Sequence, residues 1–254
     1  MPIAHGPGIP GLFLFLRSTM ALPYFFVPTI NTTSIVLDED TSKHVIQVLR
    51  MKRDEELLLT DGKGLKARCA ISDDNRKRCV VAVSTTQYEE QQVPYISIGI
   101  SLVKNAARFE WFLEKATEIG VNEIIPLLCD RTEKEKFRFD RLNNILISAM
   151  LQSQQCWLPL MQEPVAYDSL VKANRQGNKF IAHCLPEEKN QLASHHVLQD
   201  LSSPSLILIG PEGDFTEREI ALAIEKGYEP VALGNTRLRT ETAGMVAAAI
   251  LRNS

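Results

Sequence analysis

Residues 205–227, SLILIGPEGDFTEREIALAIEKG, join a short aliphatic run to a glycine-rich loop and then to a helical pattern. The run from Ser205 to Ile209 is typical of a buried strand. Thr216 and Glu219 have the spacing of a capping box, which predicts a helix that ends at Gly227. Open α/β sheets bind ligands at the carboxyl ends of their strands, and glycines let the backbone approach a ligand closely. This stretch therefore predicts a ligand loop at residues 210–214.

The same arrangement repeats nearer the C-terminus. Val231 to Leu233 predict a strand, Gly234 to Arg239 a loop, and Thr240 is expected to cap a final helix of small apolar residues. Two such units, each a strand followed by a loop and a helix, predict a site built from both loops.

The residues of the first loop restrict the kind of ligand. The G-x-G-x-x-G pattern of dinucleotide-binding folds and the lysine of a Walker loop are both absent. Glu212 lies in the middle of the loop, where its charge would repel a phosphate. A cationic or hydroxyl-rich ligand is favoured. The alternative is that both loops are only tight connections, with Glu212 paired to Arg237 or Arg239.

Upstream of these loops, the sequence alternates between predicted strands and helices, which favours a parallel sheet covered on both faces. Gly120 is expected to end the first helix. The predicted strands are Ile96 to Val103, Ile124 to Leu128, Phe180 to Cys184 and Leu206 to Ile209; the helices are Phe109 to Ile119 and one with Leu142, Ile145, Leu146 and Ala149 on one face.

The segment from Tyr24 to Tyr88 predicts a small β-barrel with one short helix. We expect Thr41 and Ser42 to cap this helix, and Val45, Val48 and Leu49 to share a face. The strands are predicted at Tyr24 to Val27, Glu56 to Thr60, Ala67 to Ile71 and Cys79 to Val83, with turns at Asp61 to Gly64 and Asp73 to Asn75. Residues 89–94 are polar, end in proline and are interpreted as a linker to the second domain, residues 95–254.

The composition, 44% hydrophobic and 23% charged, is that of a globular protein without a membrane-spanning stretch. Five scattered cysteines argue against a disulfide framework or a zinc site and favour a reducing, cytoplasmic location. Residues 1–19 are interpreted as a disordered extension before a start at Met20, with a targeting peptide as the alternative.

The net charge of −3 is unevenly distributed. Residues 43–78 contain ten lysines and arginines against six aspartates and glutamates. A basic module can hold nucleic-acid phosphates, although a solvated surface rich in lysine explains the excess equally well.

Four segments resemble the RsmE family, the 16S rRNA uridine N3-methyltransferases of the SPOUT superfamily. They are GPEGDFTEREI, LGNTRLRTETAG, KNAARFEWFLEKATEIGVNEIIPL and HVIQVLRMKRDEELLLTDGKG, and the match runs in register from about Met20 to the C-terminus. The resemblance implies an α/β fold: a PUA-like β-barrel for RNA binding at residues 20–88 and a SPOUT methyltransferase domain with a deep trefoil knot at residues 95–254. It further implies S-adenosylmethionine (SAM) as cofactor and a homodimer whose interface lies against the cofactor site.

Carried over by position, the family motifs assign the cofactor-binding residues. One wall is formed by Gly210, Pro211, Glu212 and Gly213, and Leu185 adds an apolar contact. The other wall is formed by Leu233, Gly234, Leu238, Arg239, Thr240, Glu241 and Thr242. Two positions depart from the usual family pattern: Gln155 stands where a basic residue is common, and Ala107 where an acidic residue is common.

The chemistry assigned to this site is methylation of uracil N3, which must be unpaired and deprotonated. Arg239 is the candidate for stabilising charge that develops on the uracil oxygens, and a salt bridge to Glu212 or Glu241 is its alternative role. The sequence does not identify the proton acceptor: Glu241 and Glu212 are the nearest carboxylates, and water is the alternative.

For binding the RNA of the small ribosomal subunit, the candidates are His44, Arg50, Lys52 and Arg53 on the barrel and Lys104, Arg108 and Lys115 on the second domain. An ordinary solvated charge is equally consistent with Lys115, which has Glu118 nearby. His183 is interpreted as a semi-buried structural residue, and His195-His196 lacks partners at metal-ligand spacing, so no metal is predicted. Two other functions stay open, a transfer-RNA ribose methyltransferase and an RNA-binding assembly factor without catalysis.

Overall fold

The computed structural model describes residues 22–133, 137–185, 189–195 and 203–253. The predicted N-terminal extension, Met20 and His196 lie outside the described residues. In the described part of the chain, no helix is long and apolar enough to cross a membrane.

The N-terminal residues form a five-stranded sheet around its own apolar core. The strands are β1 (Tyr24–Phe26), β2 (Ser34–Val36), β3 (Glu56–Thr60), β4 (Leu65–Asp73) and β5 (Val80–Tyr88), in the order β1-β3-β4-β5-β2. β1 pairs with β3 in parallel, and the other pairs are antiparallel. The predicted turns are confirmed, and Asp61 accepts hydrogen bonds from the amides of Lys63 (2.8 Å) and Leu65 (3.2 Å).

The short helix of this domain differs from its prediction. Its N-cap is Asp38, whose carboxylate accepts from the Thr41 amide at 2.9 Å, and α1 spans Glu39–Lys43. The chain then continues as a π-helical turn, His44–Val48, in which the amide of Leu49 donates to the carbonyl of His44 at 2.9 Å. This wider turn leaves Val45 buried but Val48 67% and Leu49 43% exposed. The predicted cap and shared apolar face were therefore wrong.

The described residues of the second domain form an eight-stranded sheet in which every strand pair is parallel, as predicted. Its sequence of elements is β6 (Ile96–Ser101), α2 (Ala106–Ile119), β7 (Glu123–Leu128), α3 (Phe139–Gln152), β8 (Leu160–Met161), β9 (Val165–Ala166), α4 (Tyr167–Lys172), β10 (Asn178–Ala182), β11 (Asn190–Gln191), β12 (Ser205–Ile209), α5 (Glu217–Glu225), β13 (Glu229–Ala232) and α6 (Thr240–Arg252). The strand order is β11-β13-β10-β12-β6-β7-β8, and β9 also pairs with β7.

Helices cover both faces of this sheet, which confirms the predicted layers. One core packs α2, α3 and α6 against the sheet around Phe112 and Leu146, and the other packs α4 and α5 around Tyr167 and Phe215. Burying each such side chain contributes about 1.5–3 kcal/mol. α2 has the predicted spacing of buried residues, and Gly120 ends it with φ of 94°.

The two domains are joined by backbone contacts as well as by the segment 89–94. The amide of Gly64 donates to the carbonyl of Cys156, and the amide of Leu158 to that of Gly62, both at 2.9 Å. The indole of Trp157 donates to the carbonyl of Glu89 at 2.8 Å. These bonds hold the barrel turn against the segment that follows α3.

Candidate functional site

The carboxyl ends of three adjacent strands, β10, β12 and β13, meet at one edge of the sheet and surround two neighbouring cavities. Cavity A, about 430 Å³, lies between the loop that follows β12 and the beginning of α6. Cavity B, about 420 Å³, lies between the ends of β10 and β13. Leu238 and Arg237 line both, together with Ala182, Cys184 and Ala243. Each cavity has the size of a small-molecule site, about 300–1,000 Å³.

Eight of the predicted cofactor-binding residues line these cavities. Gly210, Pro211, Glu212, Leu238, Arg239 and Thr240 line cavity A, and Leu233 and Gly234 line cavity B with Leu238. Gly234 has φ of 142°, and nothing lies within 4 Å of where its Cβ would be. The backbone of the second loop is thus open to a ligand.

The other four predicted residues do not line either cavity. Leu185 packs against the core around Tyr167, and the carbonyl of Gly213 accepts from Arg131 Nη1 at 2.7 Å. Glu241 is buried, and Thr242 is partly buried in α6.

The loop after β10 contributes residues that the sequence analysis missed. Ala182 and Cys184 line both cavities, and His183 lines cavity B. Asp214 lies in the predicted ligand loop but was not assigned to the cofactor; it has φ of 64° and accepts from the amide of Cys184 at 2.8 Å, so it connects the loop after β10 to the first glycine loop. The strand-end rule, applied to β10 as it was to β12, could have found the residues of this loop.

Thr240 is the first residue of α6 and not its cap. The N-cap position belongs to Arg239, without a capping hydrogen bond from its side chain. The hydroxyl of Thr240 instead donates to the carbonyl of Gly210 at 3.0 Å. The bond ties the beginning of α6 directly to the first loop.

Arg108 connects two glutamates at the site, Glu212 and Glu241. Arg108 Nη1 lies 2.9 Å from Glu212 Oε1, and Arg108 Nε lies 3.7 Å from Glu241 Oε1. The Glu241 side chain is only 8% exposed, and its Oε2 has no hydrogen-bond partner among the described residues. Glu212 therefore pairs with Arg108, and not with Arg237 or Arg239 as in the alternative interpretation of the loops.

The first loop rests on a well-supported helix start. The predicted capping box is present, with Thr216 and Glu219 bonded reciprocally. Glu219 is fully buried, and its Oε1 also accepts from the amide of Asp130 at 2.9 Å. Tyr167 donates to the carbonyl of Glu219 at 2.7 Å, and burial raises the pKa of this phenol. The helix start is thereby fixed to β7 and α4.

Comparison with known proteins places the chain in a family. The sequence model of an RNA methyltransferase domain matches residues 89–252, and that of an RNA methyltransferase PUA domain matches residues 37–84. The chain belongs to the RsmE family of RNA methyltransferases. The sequence resemblance is thereby confirmed, together with the α/β fold of SPOUT type and its N-terminal PUA-like domain.

Three relatives illustrate the breadth of this RsmE family match. Ribosomal RNA small subunit methyltransferase E of Synechocystis is 29% identical over 81% of this chain and 69% of its own length. A probable rRNA methyltransferase from Porphyromonas gingivalis is 35% identical with a TM-score of 0.83, covering 89% of this chain and 95% of that one. Ribosomal RNA small subunit methyltransferase E of Neisseria gonorrhoeae, solved bound to S-adenosyl methionine, is 27% identical with a TM-score of 0.79, covering 90% and 95%.

The RsmE-type site has the chemistry that SAM requires. SAM carries a sulfonium, an ammonium and a ribose but no phosphate. Glu212 and Asp214 supply negative charge and hydrogen-bond acceptors at cavity A, and Leu238 supplies an apolar wall. The residues present fit the cofactor.

The predicted RNA-binding residues fall into two groups. On the barrel, His44, Arg50, Lys52 and Arg53 are all exposed on the segment between β2 and β3. On the second domain, Lys104 pairs with Glu133 and Lys115 with Glu114 and Glu118, at 2.7–3.0 Å. The ion pairs of Lys115 favour the alternative that it is an ordinary surface charge. Arg108 lines cavity A.

The two departures from the family pattern lie in different settings. The side-chain Nε2 of Gln155 donates to the carbonyls of Thr117 and Glu118 at the end of α2, at 2.9 and 3.1 Å. Ala107 is exposed in the first turn of α2.

Proposed function

We propose that this protein transfers a methyl group from SAM to N3 of a uridine in the 16S RNA of the small ribosomal subunit. It is a SAM-dependent rRNA methyltransferase, as its family membership establishes. The observation that carries the finer assignment is Glu241, a buried carboxylate whose Oε2 has no hydrogen-bond partner among the described residues and which lies behind Arg108, a residue that lines cavity A. Uracil N3 has a proton to lose, and such a carboxylate can accept it.

The three loops divide the work of binding the cofactor. Gly210 to Glu212 line cavity A, and Leu233 to Leu238 line cavity B. Ala182 at the end of β10 and Cys184 in the loop after it line both cavities. Leu238, shared by both cavities, marks where a bent ligand would turn between them. When bound, SAM supplies an electrophilic methyl carbon on its sulfonium.

The chain must then present and deprotonate the uracil. The base has to be unpaired, because N3–H is buried in a base pair otherwise. Glu241 Oε2 accepts the N3 proton, and Arg239, exposed at the mouth of cavity A, offsets the charge that develops on O2 and O4. The deprotonated N3 would then take the methyl group of bound SAM, with the carbon–sulfur bond breaking and its electron pair remaining on the sulfur.

We assign RNA binding to the barrel, residues 20–88, and methyl transfer to residues 95–254. His44, Arg50, Lys52 and Arg53 are exposed on one segment of the barrel and can hold phosphates without reading the sequence. The backbone contacts between Gly64 and Cys156 would keep this segment at a fixed distance from cavity A.

The deciding experiment is methyl transfer to small-subunit particles, naked 16S RNA and transfer RNA, with the modified base mapped by mass spectrometry. We expect N3-methyluridine in 16S RNA, formed better on particles than on naked RNA. Ribose methylation of transfer RNA would overturn the proposal in favour of that alternative. Calorimetric titration with SAM that shows no binding would favour an assembly factor without catalysis.

We also propose a homodimer, the assembly that the family resemblance implies, and a knotted C-terminal domain. Light scattering on the purified protein tests the first expectation. A mass of one chain at micromolar concentration would contradict it.

A further inference from the structure

Arg108 joins three parts of the chain that are far apart in sequence. It lies in the first turn of α2, which Asn105 caps by accepting from the amide of Ala107 at 3.0 Å. Its guanidinium reaches Glu212 in the loop after β12 and Glu241 in the first turn of α6. The planar fork of arginine can contact two carboxylates at once.

The two carboxylates differ sharply in exposure. The Glu212 side chain is 46% exposed, whereas that of Glu241 is 8% exposed. A buried carboxylate requires a nearby positive charge, because its desolvation is unfavourable. Among the described residues, Arg108 is the cation within salt-bridge distance of Glu241. The beginning of α6 adds the favourable field of a helix N-terminus.

This geometry is unfavourable for a phosphate contact by Arg108. A phosphate would have to displace Glu212 or Glu241 from the guanidinium and leave a carboxylate without its partner. Arg50, Lys52 and Arg53 form no ion pair with any described residue and are exposed. They are better suited to phosphates than Arg108 is.

We propose that Arg108 is a positioning residue of the methyl-transfer site, which holds Glu241 in place behind cavity A, and not a contact to the RNA backbone. Glu212 anchors the outer side of the guanidinium. Glu241 Oε1 faces Arg108, and the buried Oε2 has no hydrogen-bond partner among the described residues. The inference rests on the proposed function for the identity of the substrate.

The first test is the salt dependence of RNA binding without SAM. Each phosphate contact contributes about 0.7–0.9 to the slope of log K against log salt. We expect Arg108→Ala to leave the slope unchanged. Lys52→Ala should reduce the slope by about 0.7–0.9, the contribution of one phosphate contact. A slope reduced equally by Arg108→Ala would overturn the proposal.

The second test compares the methyl-transfer kinetics of variants with those of the wild type. We expect Arg108→Ala to lower kcat about 100-fold, since a small misplacement of a catalytic group has this effect, with KM for RNA within twofold. Arg108→Lys should recover only part of kcat, because an ammonium restores the positive charge but not the planar fork that contacts both carboxylates. Arg218→Ala is the control, an exposed arginine paired with Asp130 and Asp168 away from both cavities, and should keep wild-type kcat.

A double-mutant cycle tests the contact between Arg108 and Glu241 without relying on activity. Arg108→Ala should lower the melting temperature of the wild type by at least twice as much as that of Glu241→Gln. Equal decreases in both backgrounds would overturn the proposal. If the wild type methylated another base, the proposed function would fail, while the salt slope and the thermal cycle would still decide the role of Arg108.

Discussion

At the scale of single residues, two arginines that line cavity A differ in whether they form an ion pair. Arg108 is held by Glu212, whereas Arg239 is exposed and forms no ion pair with any described residue. A side chain that contributes no packing or pairing to the folded chain can be removed with little effect on stability. Its position at the cavity leaves it free to act on a substrate.

We predict that Arg239→Ala lowers kcat about 100- to 1,000-fold, the effect typical of losing one stabiliser of developing charge. The free energy of unfolding should stay within about 0.5 kcal/mol of the wild type. Turnover assays and denaturant unfolding check both. Arg239→Lys is the companion variant, and wild-type turnover in Arg239→Ala would refute the assigned role.

A buried ion pair at the opposite edge of the sheet predicts a pH dependence of stability. Glu123, 4% exposed, is bonded by Arg175 Nη1 and by Ser97 Oγ, both at 2.6 Å. Burial alone would raise the pKa of Glu123, but the hydrogen bonds from Arg175 and Ser97 outweigh it, and the pKa lies below its ordinary value. The pair therefore stabilises the fold above the ordinary carboxyl pKa of about 4.3, and this contribution is lost as the pH falls through the lower, folded pKa.

We predict that Glu123→Gln costs about 3–5 kcal/mol at pH 7, because Arg175 is left half-buried without its partner. The difference from the wild type should shrink below about pH 4 as the native carboxylate becomes protonated. Urea unfolding of both proteins between pH 7 and pH 3 measures it. Lys172→Ala, which removes an exposed pair with Asp168, should show no such convergence. A gap independent of pH would contradict the prediction.

At the scale of elements, the connection between α6 and the first loop depends on one hydroxyl. Thr240 donates to the carbonyl of Gly210, and both residues are buried. We predict that Thr240→Val destabilises the protein by about 1–3 kcal/mol, because the carbonyl is left without a donor. It should also weaken SAM binding about tenfold, since the first loop is no longer held against the beginning of α6. Calorimetry and thermal unfolding measure the two effects.

The control for Thr240→Val is Ser148→Ala, which removes an exposed bond from a hydroxyl to the carbonyl of Asn144. It should leave SAM affinity at the wild-type value. Equal SAM affinity in Thr240→Val and the wild type would show that the hydroxyl does not hold the loops together.

Local pattern predicted most elements but not the details that depend on the surrounding structure. The capping box at Thr216 and the glycine at position 120 were predictable because their bonds are formed within a few residues. Thr240 satisfied the same composition rule, yet its hydroxyl bonds to Gly210, a contact no local pattern contains. The π-helical turn was missed because its wide spacing breaks the 3.6-residue period used to assign faces.

For the site, the sequence predicted the two glycine loops but not the role of Arg108. Both loops follow aliphatic runs, so their place at strand ends was predictable. Arg108 was predicted among the phosphate contacts because basic charge alone indicates RNA. Its partners are more than 100 residues away, and only the tertiary structure reveals them.

At the scale of the whole molecule, the barrel is docked on the second domain through a closely packed turn. The barrel turn meets the chain after α3 at Gly64, which has φ of 92°. A Cβ at this position would lie 2.6 Å from the ring of Trp157 and 2.8 Å from the carbonyl oxygen of Glu89. Neither an indole donating to Glu89 nor a backbone carbonyl can easily give way.

We predict that Gly64→Ala separates the domains while leaving each folded. Gly227→Ala is the matched control, because Gly227 also has positive φ, 79°, but its added Cβ meets only the flexible end of Lys179. Both variants carry the left-handed backbone cost of about 1–2 kcal/mol, and Gly64→Ala alone adds a clash worth about 1–3 kcal/mol.

RNA affinity should fall about tenfold in Gly64→Ala only, because the basic segment of the barrel moves relative to cavity A. SAM affinity should stay unchanged in both, because both cavities lie within the catalytic domain. Two calorimetric transitions in place of one would show the uncoupling directly, whereas equal RNA affinity in the two variants would mean that barrel docking does not position the substrate.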